Sequence, residues 1–364
     1  MQTNNIKYLI ALSHFAKFGA KRLKLIQNFF PDFESAFKAS INELITAGIP
    51  ENVALEFSLT RENIDIEKII NFLGTENIGV ISILSEDYPS LLKEIFDPPI
   101  ILYYKGTLTP DSGLNLAVVG SRKHTSYGQQ VTHQLVADLT RQGLTIVSGL
   151  ALGIDTYAHN TCVDNNGRTI AVLGSGIDKR SLYPSANRYL AEKIVANGGL
   201  ILSEYPVGTE PLRYNFPQRN RIISGLSLGT LVIEANEKSG ALITAECALE
   251  HNREVFAIPG NIYSPSSIGP NNLIKQGAKI VTTAEEIIEA LNLNQVKTFI
   301  ENKNIIPETA EEAVILVHLK KIPMHINELI RLSGLDTASI NSTLTIMEMK
   351  GIVKNLGGME YVLL

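Results

Sequence analysis

With 364 residues, 45% of them hydrophobic and 19% charged, the chain is long enough for two or three domains and too apolar for extended disorder. A formal net charge of -5 excludes a protein that coats nucleic acid through bulk positive charge, but not a groove where a few basic side chains converge. Cys162 and Cys247 have no Cys-x-x-Cys spacing. They read as buried free thiols, and no metal or cofactor is expected. The N-terminal stretch MQTNNIKYLIALSHF lacks a cleavable signal pattern, and its apolar run is too short to cross a bilayer. A cytoplasmic protein without a membrane partner is expected.

Residues 1–75 read as short helices. Leu9, Leu12, Phe15 and Ala16 have helical spacing up to a break at Phe18-Gly19-Ala20. A second helix runs from about Lys21 to Phe30, where Pro31 stops it, and a third from about Ser40 to Ala47, ending at Gly48. Short helices joined at glycine suggest a SAM- or helix-hairpin-helix-like module that would grip DNA backbone. A plain helical bundle serving as a docking platform is the preferred reading. Residues 76–110 form a Pro-bounded transition holding one short strand, Ile100 to Tyr104.

From Asn115 the pattern becomes strand–helix alternation. Apolar runs at Leu116–Val119, Thr145–Val147, Thr169–Leu173, Leu200–Leu202, Thr230–Ile233, Glu254–Ile258 and Lys279–Val281 are separated by amphipathic stretches such as 127–141, 185–197 and 241–252. Fully apolar strands alternating with helices predict an α/β fold with a parallel sheet covered on both faces. This sheet domain is assigned to 76–294, followed by a polar linker over 295–306. Residues 307–364 outline a winged helix: three short helices, the last at Thr337–Met349, then two strands around Gly357-Gly358. Ile326–Gly334 would be its second helix and turn. Because Thr337–Met349 carries no Lys or Arg, the tail is expected to contact protein, or DNA without sequence readout.

Each polar or Gly-rich cluster of the middle region follows the carboxyl end of a strand, the edge where open parallel sheets bind ligands. In the first, Gly120 permits close approach, Ser121 offers a hydroxyl, and Arg122, beside Lys123, supplies a fork for phosphate. A simple turn with a solvated arginine is the competing reading. In the second, from Ser148 to Asp155, Asp155 reads as a structural cap. The backbone amides of the helix that follows could receive phosphate, and His159 one turn later reads as a packing residue. The third begins Gly174-Ser175-Gly176 like a dinucleotide fingerprint, but Lys179 stands where the third glycine belongs. Lys179 and Arg180 suit an anionic polymer better than a buried pyrophosphate, and no P-loop motif occurs.

The run Phe216–Ser224 joins the same edge and places Asn220 between Arg219 and Arg221. Phe216 could stack on a base, worth roughly 1–3 kcal/mol, or lie in the core. Arg219 and Arg221 could hold phosphates or be tied to Glu204 or Glu234. Further along, Ser239, Gly240 and Thr244 could supply donors at the start of another helix.

These motifs together resemble the DprA/Smf family of bacterial DNA-processing proteins. The matching segments are Val119–Arg122, Ser148–Asp155, Leu173–Asp178 with Tyr183-Pro184, Ser203–Pro206, Phe216–Ser227, Ser239–Ala245 and Phe256–Gly260, and coverage runs from about Asp87 to Val281. The resemblance implies an extended Rossmann fold that binds single-stranded DNA without sequence preference and dimerises. It also implies protection of incoming DNA and loading of the recombinase RecA during natural transformation. By motif match Arg122 is the DNA-binding arginine, with the Lys179 region, Phe216, Arg219 and Arg221 beside the strand. Ala241 departs from the family, which often has Ser there. The apolar helix Leu242–Leu249 and the segment on to Ile274 are candidate dimer contacts.

Two rival readings stay open. Related extended Rossmann proteins of the LOG and lysine-decarboxylase-like group cleave nucleoside monophosphates, and Glu246 sits at a comparable place, but their Gly-Gly-x-Gly-Thr loop is missing here. The other rival is a mononucleotide-sensing or scaffold module.

Overall fold

The computed structural model describes residues 2–109, 114–293, 309–319, 324–350 and 352–363. The chain divides into two compact units, Met1–Ile287 and Ile288–Leu364. The linker expected over 295–306 lies outside the described residues.

The first unit begins with six helices: α1 (Gln2–Ser13), α2 (Ala20–Phe29), α3 (Phe33–Lys38), α4 (Ile41–Thr46), α5 (Glu51–Thr60) and α6 (Ile66–Thr75). Their starts follow local chemistry. Asp32, Ser40 and Asp65 each accept a hydrogen bond from a backbone amide of the first turn, satisfying donors that have no partner within the helix. Leu9, Leu12, Ile26, Leu44 and Phe57 are fully buried, and their cluster continues without a break into Tyr103, Ala171 and Leu173 of the sheet. Ser13 Oγ and Tyr103 Oη share a 2.7 Å hydrogen bond across this junction. The helical N-terminus is therefore built onto the sheet, not suspended beside it.

The sheet has nine strands: β1 (Gly79–Ser82), β2 (Ile101–Gly106), β3 (Asn115–Val119), β4 (Thr145–Ser148), β5 (Thr169–Leu173), β6 (Leu200–Ser203), β7 (Gly229–Val232), β8 (Glu254–Ala257) and β9 (Lys279–Ile280). Their spatial order is β1-β2-β6-β5-β4-β3-β7-β8-β9. Strands β3 to β9 pair in parallel, whereas β2 pairs antiparallel with β6 and β1 with β2. Strand β1 was not expected, because four residues without alternation carry no strand signal. It exists because Gly79 through Ser82 find partners in Tyr104 through Ile101.

Between the strands lie α7 (Ser90–Lys93), α8 (Ser126–Arg141), α9 (Ile154–Asp164), α10 (Arg188–Ala196), α11 (Asn215–Gly225), α12 (Gly240–Glu250) and α13 (Ile268–Lys275), and α14 (Ala284–Ala290) follows β9. Both faces of the sheet are covered, as fully apolar strands require. On β5, Ala171 and Leu173 enter one core cluster while Ile170 and Val172 enter another. Registry aligns the strand ends: Val119 lies opposite Val232, and Leu173 opposite Ser203. The polar turns after them therefore emerge along one edge. Strand order reverses between β3 and β7, the topological switch point at which the loops diverge and leave a crevice.

The second unit is a winged helix of α15 (Ala310–His318), β10 (Met324–His325), α16 (Ile326–Ser333), α17 (Thr337–Met349), β11 (Val353–Gly357) and β12 (Glu360–Leu363), with strand order β10-β12-β11. Gly334 ends α16 at φ +68, a left-handed position that suits glycine. Asp336 then starts α17, accepting from the amides of Ala338 and Ser339. Ile315, Leu329, Ile340, Leu344 and Met347 form its core. Among the described residues, no helix is long and apolar enough to cross a membrane.

Candidate nucleic-acid interface

The crevice at the switch point is a groove of about 440 Å³, lined by the turn after β3, the start of α9, one face of α11, and the β7–α12 connection. Two glycines let neighbouring segments pack closely there. A Cβ on Gly120 would meet Ile154 at 2.6 Å, and one on Gly153, at φ +84, would meet the Ser121 carbonyl at 2.3 Å. This close packing sets the turn Ser121–Thr125 over the N-terminus of α9.

Ser121 is buried. Its hydroxyl donates to the Lys123 carbonyl at 3.0 Å and accepts from the Lys123 amide at 3.1 Å. It shapes the turn and is not the spare donor expected from sequence. Arg122 and Lys123 are exposed on the groove rim. The Arg122 guanidinium lies over the half-buried Phe216 ring, 5.4 Å from its centroid, within cation–π range. Tyr183, nearly half exposed, packs on the same ring with centroids 5.9 Å apart. Phe216 therefore carries Arg122, and a base reaching this place meets the guanidinium as well as the ring.

The run Phe216–Ser224 is helical, and that decides what its polar residues do. On α11, Phe216, Arg219, Asn220 and Ile223 share the face that lines the groove, the i, i+3, i+4, i+7 spacing of one helical stripe. Arg221 points away from it. Its side chain pairs with Glu204 at 2.6 Å and Asp97 at 3.1 Å, so it anchors α11 to two other loops and does not reach the groove. Burial raises the Glu204 carboxyl, and Arg221 partly offsets this.

Arg219 lies in the groove floor and is only 4% exposed. It donates to the Gly149 carbonyl at 2.8 Å, to the Val172 carbonyl, and to Asn220 Oδ1 at 3.2 Å. Burial pushes its guanidinium down to about 10, opposed by the charge of Asp155 and assisted by that of Arg122. Asp155 is buried beside it and accepts from the amides of Gly149 and Ala151 at 3.1 and 3.3 Å. It ties the β4–α9 loop together and does not cap α9, the role expected from sequence; the residue at the cap position is Gly153, which has no side chain to offer. Its own carboxyl is raised by burial and lowered by Arg219. Asn220 donates to the Gly240 carbonyl at 3.1 Å, and the Ser239 hydroxyl accepts from Ala241 N at 3.3 Å as the cap of α12. These two also hold the frame together, whereas Gly240 is exposed at the rim.

Lys179 and Arg180 are exposed but lie outside this groove. Arg180 borders a separate depression of about 870 Å³ with Phe72, Glu76 and Glu210. Conversely, Lys238 and Asn236 line the groove and are exposed, although neither was singled out as a site residue. The signal for Lys238 was its place immediately before the Ser239 cap. Arg122, Lys123 and Lys238 form no ion pair among the described residues. No group of His, Cys, Asp and Glu among them is placed to hold a metal ion. His159 is fully buried, as a packing residue would be, with Nδ1 2.7 Å from Thr169 Oγ1. Cys162 is buried and Cys247 partly so; neither is bonded to the other.

The family described as DNA recombination-mediator protein A matches residues 79–292, and the DprA winged helix domain matches residues 301–359. The Smf protein of Synechocystis is 34% identical over 400 residues, spanning 99% of this chain and 99% of that relative. The DNA processing protein DprA of Bacillus subtilis is 47% identical over 227 residues, covering 62% of this chain and 75% of its own length. Among solved structures, DprA from Streptococcus pneumoniae superposes with a TM-score of 0.66 at 36% identity, covering 78% of this chain and 97% of that one. DNA processing protein A from Helicobacter pylori, described for its single-stranded DNA binding mode, gives 0.53 at 31% identity over 60% of this chain and 96% of its own. With the family match spanning more than half of the sequence and a relative aligned along its whole length, this chain belongs to the DprA/Smf family of DNA-processing proteins.

Proposed function

We propose that the chain binds single-stranded DNA without sequence preference in the switch-point groove, with Arg122, Lys123 and Lys238 on the phosphates. One observation carries this reading: three exposed cations line a groove whose floor is held in shape by internal hydrogen bonds. Cations held at the rim of a crevice can track a phosphate backbone. Gly120 and Gly240 permit close approach, and Phe216 supports Arg122. Ser121, Arg219, Asn220, Arg221 and Ser239 act by holding the groove in shape, while Lys179 and Arg180 would meet a longer strand beyond it. The wider role follows the family: a cytoplasmic homodimer that protects incoming DNA and loads RecA during natural transformation, without catalysis or cofactor. The three-part division at 1–75, 76–294 and 307–364 is proposed with it, the first segment sharing one compact unit with the second as far as Ile287.

The nucleotide-cleaving alternative finds less support. Glu246 is exposed on α12 and does not line the groove. Titrating labelled single- and double-stranded oligonucleotides across salt concentrations tests the proposal. Arg122→Ala should weaken binding to all single strands alike and flatten the log–log salt slope by about 0.7 for each phosphate left unneutralised. Equal affinity of variant and parent sinks the site assignment. Displacement of the strand by mononucleotides, or release of base from AMP, supports a rival reading instead.

A further inference from the structure

We infer that Glu234 is a positioning residue for strand binding, because it pins both ends of the turn that carries Arg122 and Lys123. This role rests on the groove being the strand site. Glu234 follows β7 at the switch point and is only 2% exposed. Its backbone carbonyl accepts from the Ser121 amide at 2.7 Å, holding the start of the turn. Its carboxylate holds the end: Oε2 accepts from the Thr125 amide at 2.8 Å and Oε1 from the Thr125 hydroxyl at 2.5 Å. The Ser266 hydroxyl adds a third donor at 3.1 Å, so the loops after β3, β7 and β8 meet on one carboxylate. Gly128 leaves the space for it, since a Cβ there would lie 2.2 Å from Oε2. Thr125 Oγ1 in turn accepts from the Gly128 amide at 3.2 Å and starts α8.

A carboxylate this deep is tolerated because its oxygens are met by donors. With both ends fixed, the turn presents Arg122 and Lys123 with little left to order when a strand arrives, which lowers the entropic cost of association. Coulomb's law alone gives the opposite expectation. Removing a negative charge near an anion site should strengthen binding, so the sign of the effect separates geometry from charge.

The test is the affinity of the full chain for a labelled oligothymidylate at several salt concentrations, with thermal melts run in parallel. Glu234→Gln and Thr125→Val should each weaken binding roughly tenfold, the size of one charge-assisted hydrogen bond, and flatten the salt slope by about 0.7. The double variant should bind no worse than either single one, because both break the same link. Thr125→Ser, which keeps the hydroxyl, should restore the parental affinity. Glu237→Gln, at an exposed acid in the loop that follows, should bind as tightly as the parent or more so. Thr125 is itself exposed, so its variants probe the link even where Glu234→Gln does not fold. If Arg122→Ala weakens binding while Glu234→Gln and Thr125→Val keep the parental affinity and slope, the groove stands and this inference is overturned. Affinity that falls only in step with the folded fraction also overturns it, leaving Glu234 a residue of the fold. If Arg122→Ala binds like the parent, the groove reading fails, and this inference with it.

Discussion

The rim and the floor of the groove both carry arginine, and the two do different work. On the rim, Arg122 is exposed, lies over Phe216 and has Lys123 and Lys238 for company. In the floor, Arg219 is buried, hydrogen-bonded to two strand-end carbonyls and set against Asp155. A guanidinium with three of its five N–H donors spent on two carbonyls and the Asn220 side chain is held in place and has less left for a phosphate. A run of basic residues in sequence therefore does not report on binding until it is known which of them face solvent.

The division is put at greatest risk by substituting each arginine in turn. Arg219→Ala should cost about 3–5 kcal/mol of stability, because it removes three buried hydrogen bonds and leaves a cavity in the groove floor. Denaturant unfolding measures this directly. Arg122→Ala should leave the same unfolding curve within about 0.5 kcal/mol of the parent, while removing affinity. If Arg219→Ala instead folds normally and loses only binding, the floor is a contact surface and the distinction collapses.

The fold was legible where burial is complete. Strands covered on both faces read as unbroken apolar runs that stop at small or polar residues, as at Val119-Gly120 and Leu173-Gly174. The turns at their carboxyl ends were legible for the same reason. The helix α11 was not. Arg219, Asn220 and Arg221 are all buried, so the segment has no apolar stripe to advertise its period. Read with helical spacing, it would have separated Arg221 from the face shared by Phe216, Arg219 and Asn220. The role of Glu234 was beyond sequence reasoning altogether, since its partner Thr125 lies 109 residues away and only the switch in strand order joins them.

Acid offers a second way to part the two regions, with a smaller effect. Beneath the floor, a buried imidazole responds to acid. Burial, with some help from the Arg219 charge, pushes His159 from 6.5 down to about 3. The native state therefore keeps this imidazole neutral while the unfolded chain protonates it. Its contribution is fully present above 6.5 and is lost as pH falls from 6.5 towards 3, with a limiting slope of about 1.4 kcal/mol per pH unit. Asp155 and Glu204, raised by burial, act in the opposite sense and gain from acidification. Comparing His159→Gln with the parent isolates the histidine: the parent's advantage should shrink as pH drops from 6.5 to 4. A constant difference would mean that His159 takes up its proton equally in the folded and unfolded chain.

The smallest effect is expected in the winged helix, and it extends the same contrast to the second unit. Helix α17 occupies the place of a DNA-reading helix but has neither Lys nor Arg from Thr337 to Met349. Its polar groups are turned onto its own backbone: the Asn341 amide donates to the Thr337 carbonyl at 2.9 Å, and the Thr345 hydroxyl to that of Asn341 at 2.8 Å. Ile346 and Met349 are exposed on it, at 49% and 84%, which suits a protein surface better than a phosphate backbone. Asn341→Ala and Thr345→Ala should therefore change affinity for single strands by less than about twofold and leave the salt slope untouched, because the slope counts cations brought to phosphates. A flatter slope in either variant would show that this unit meets the strand after all, and that the groove rim is one of two binding surfaces.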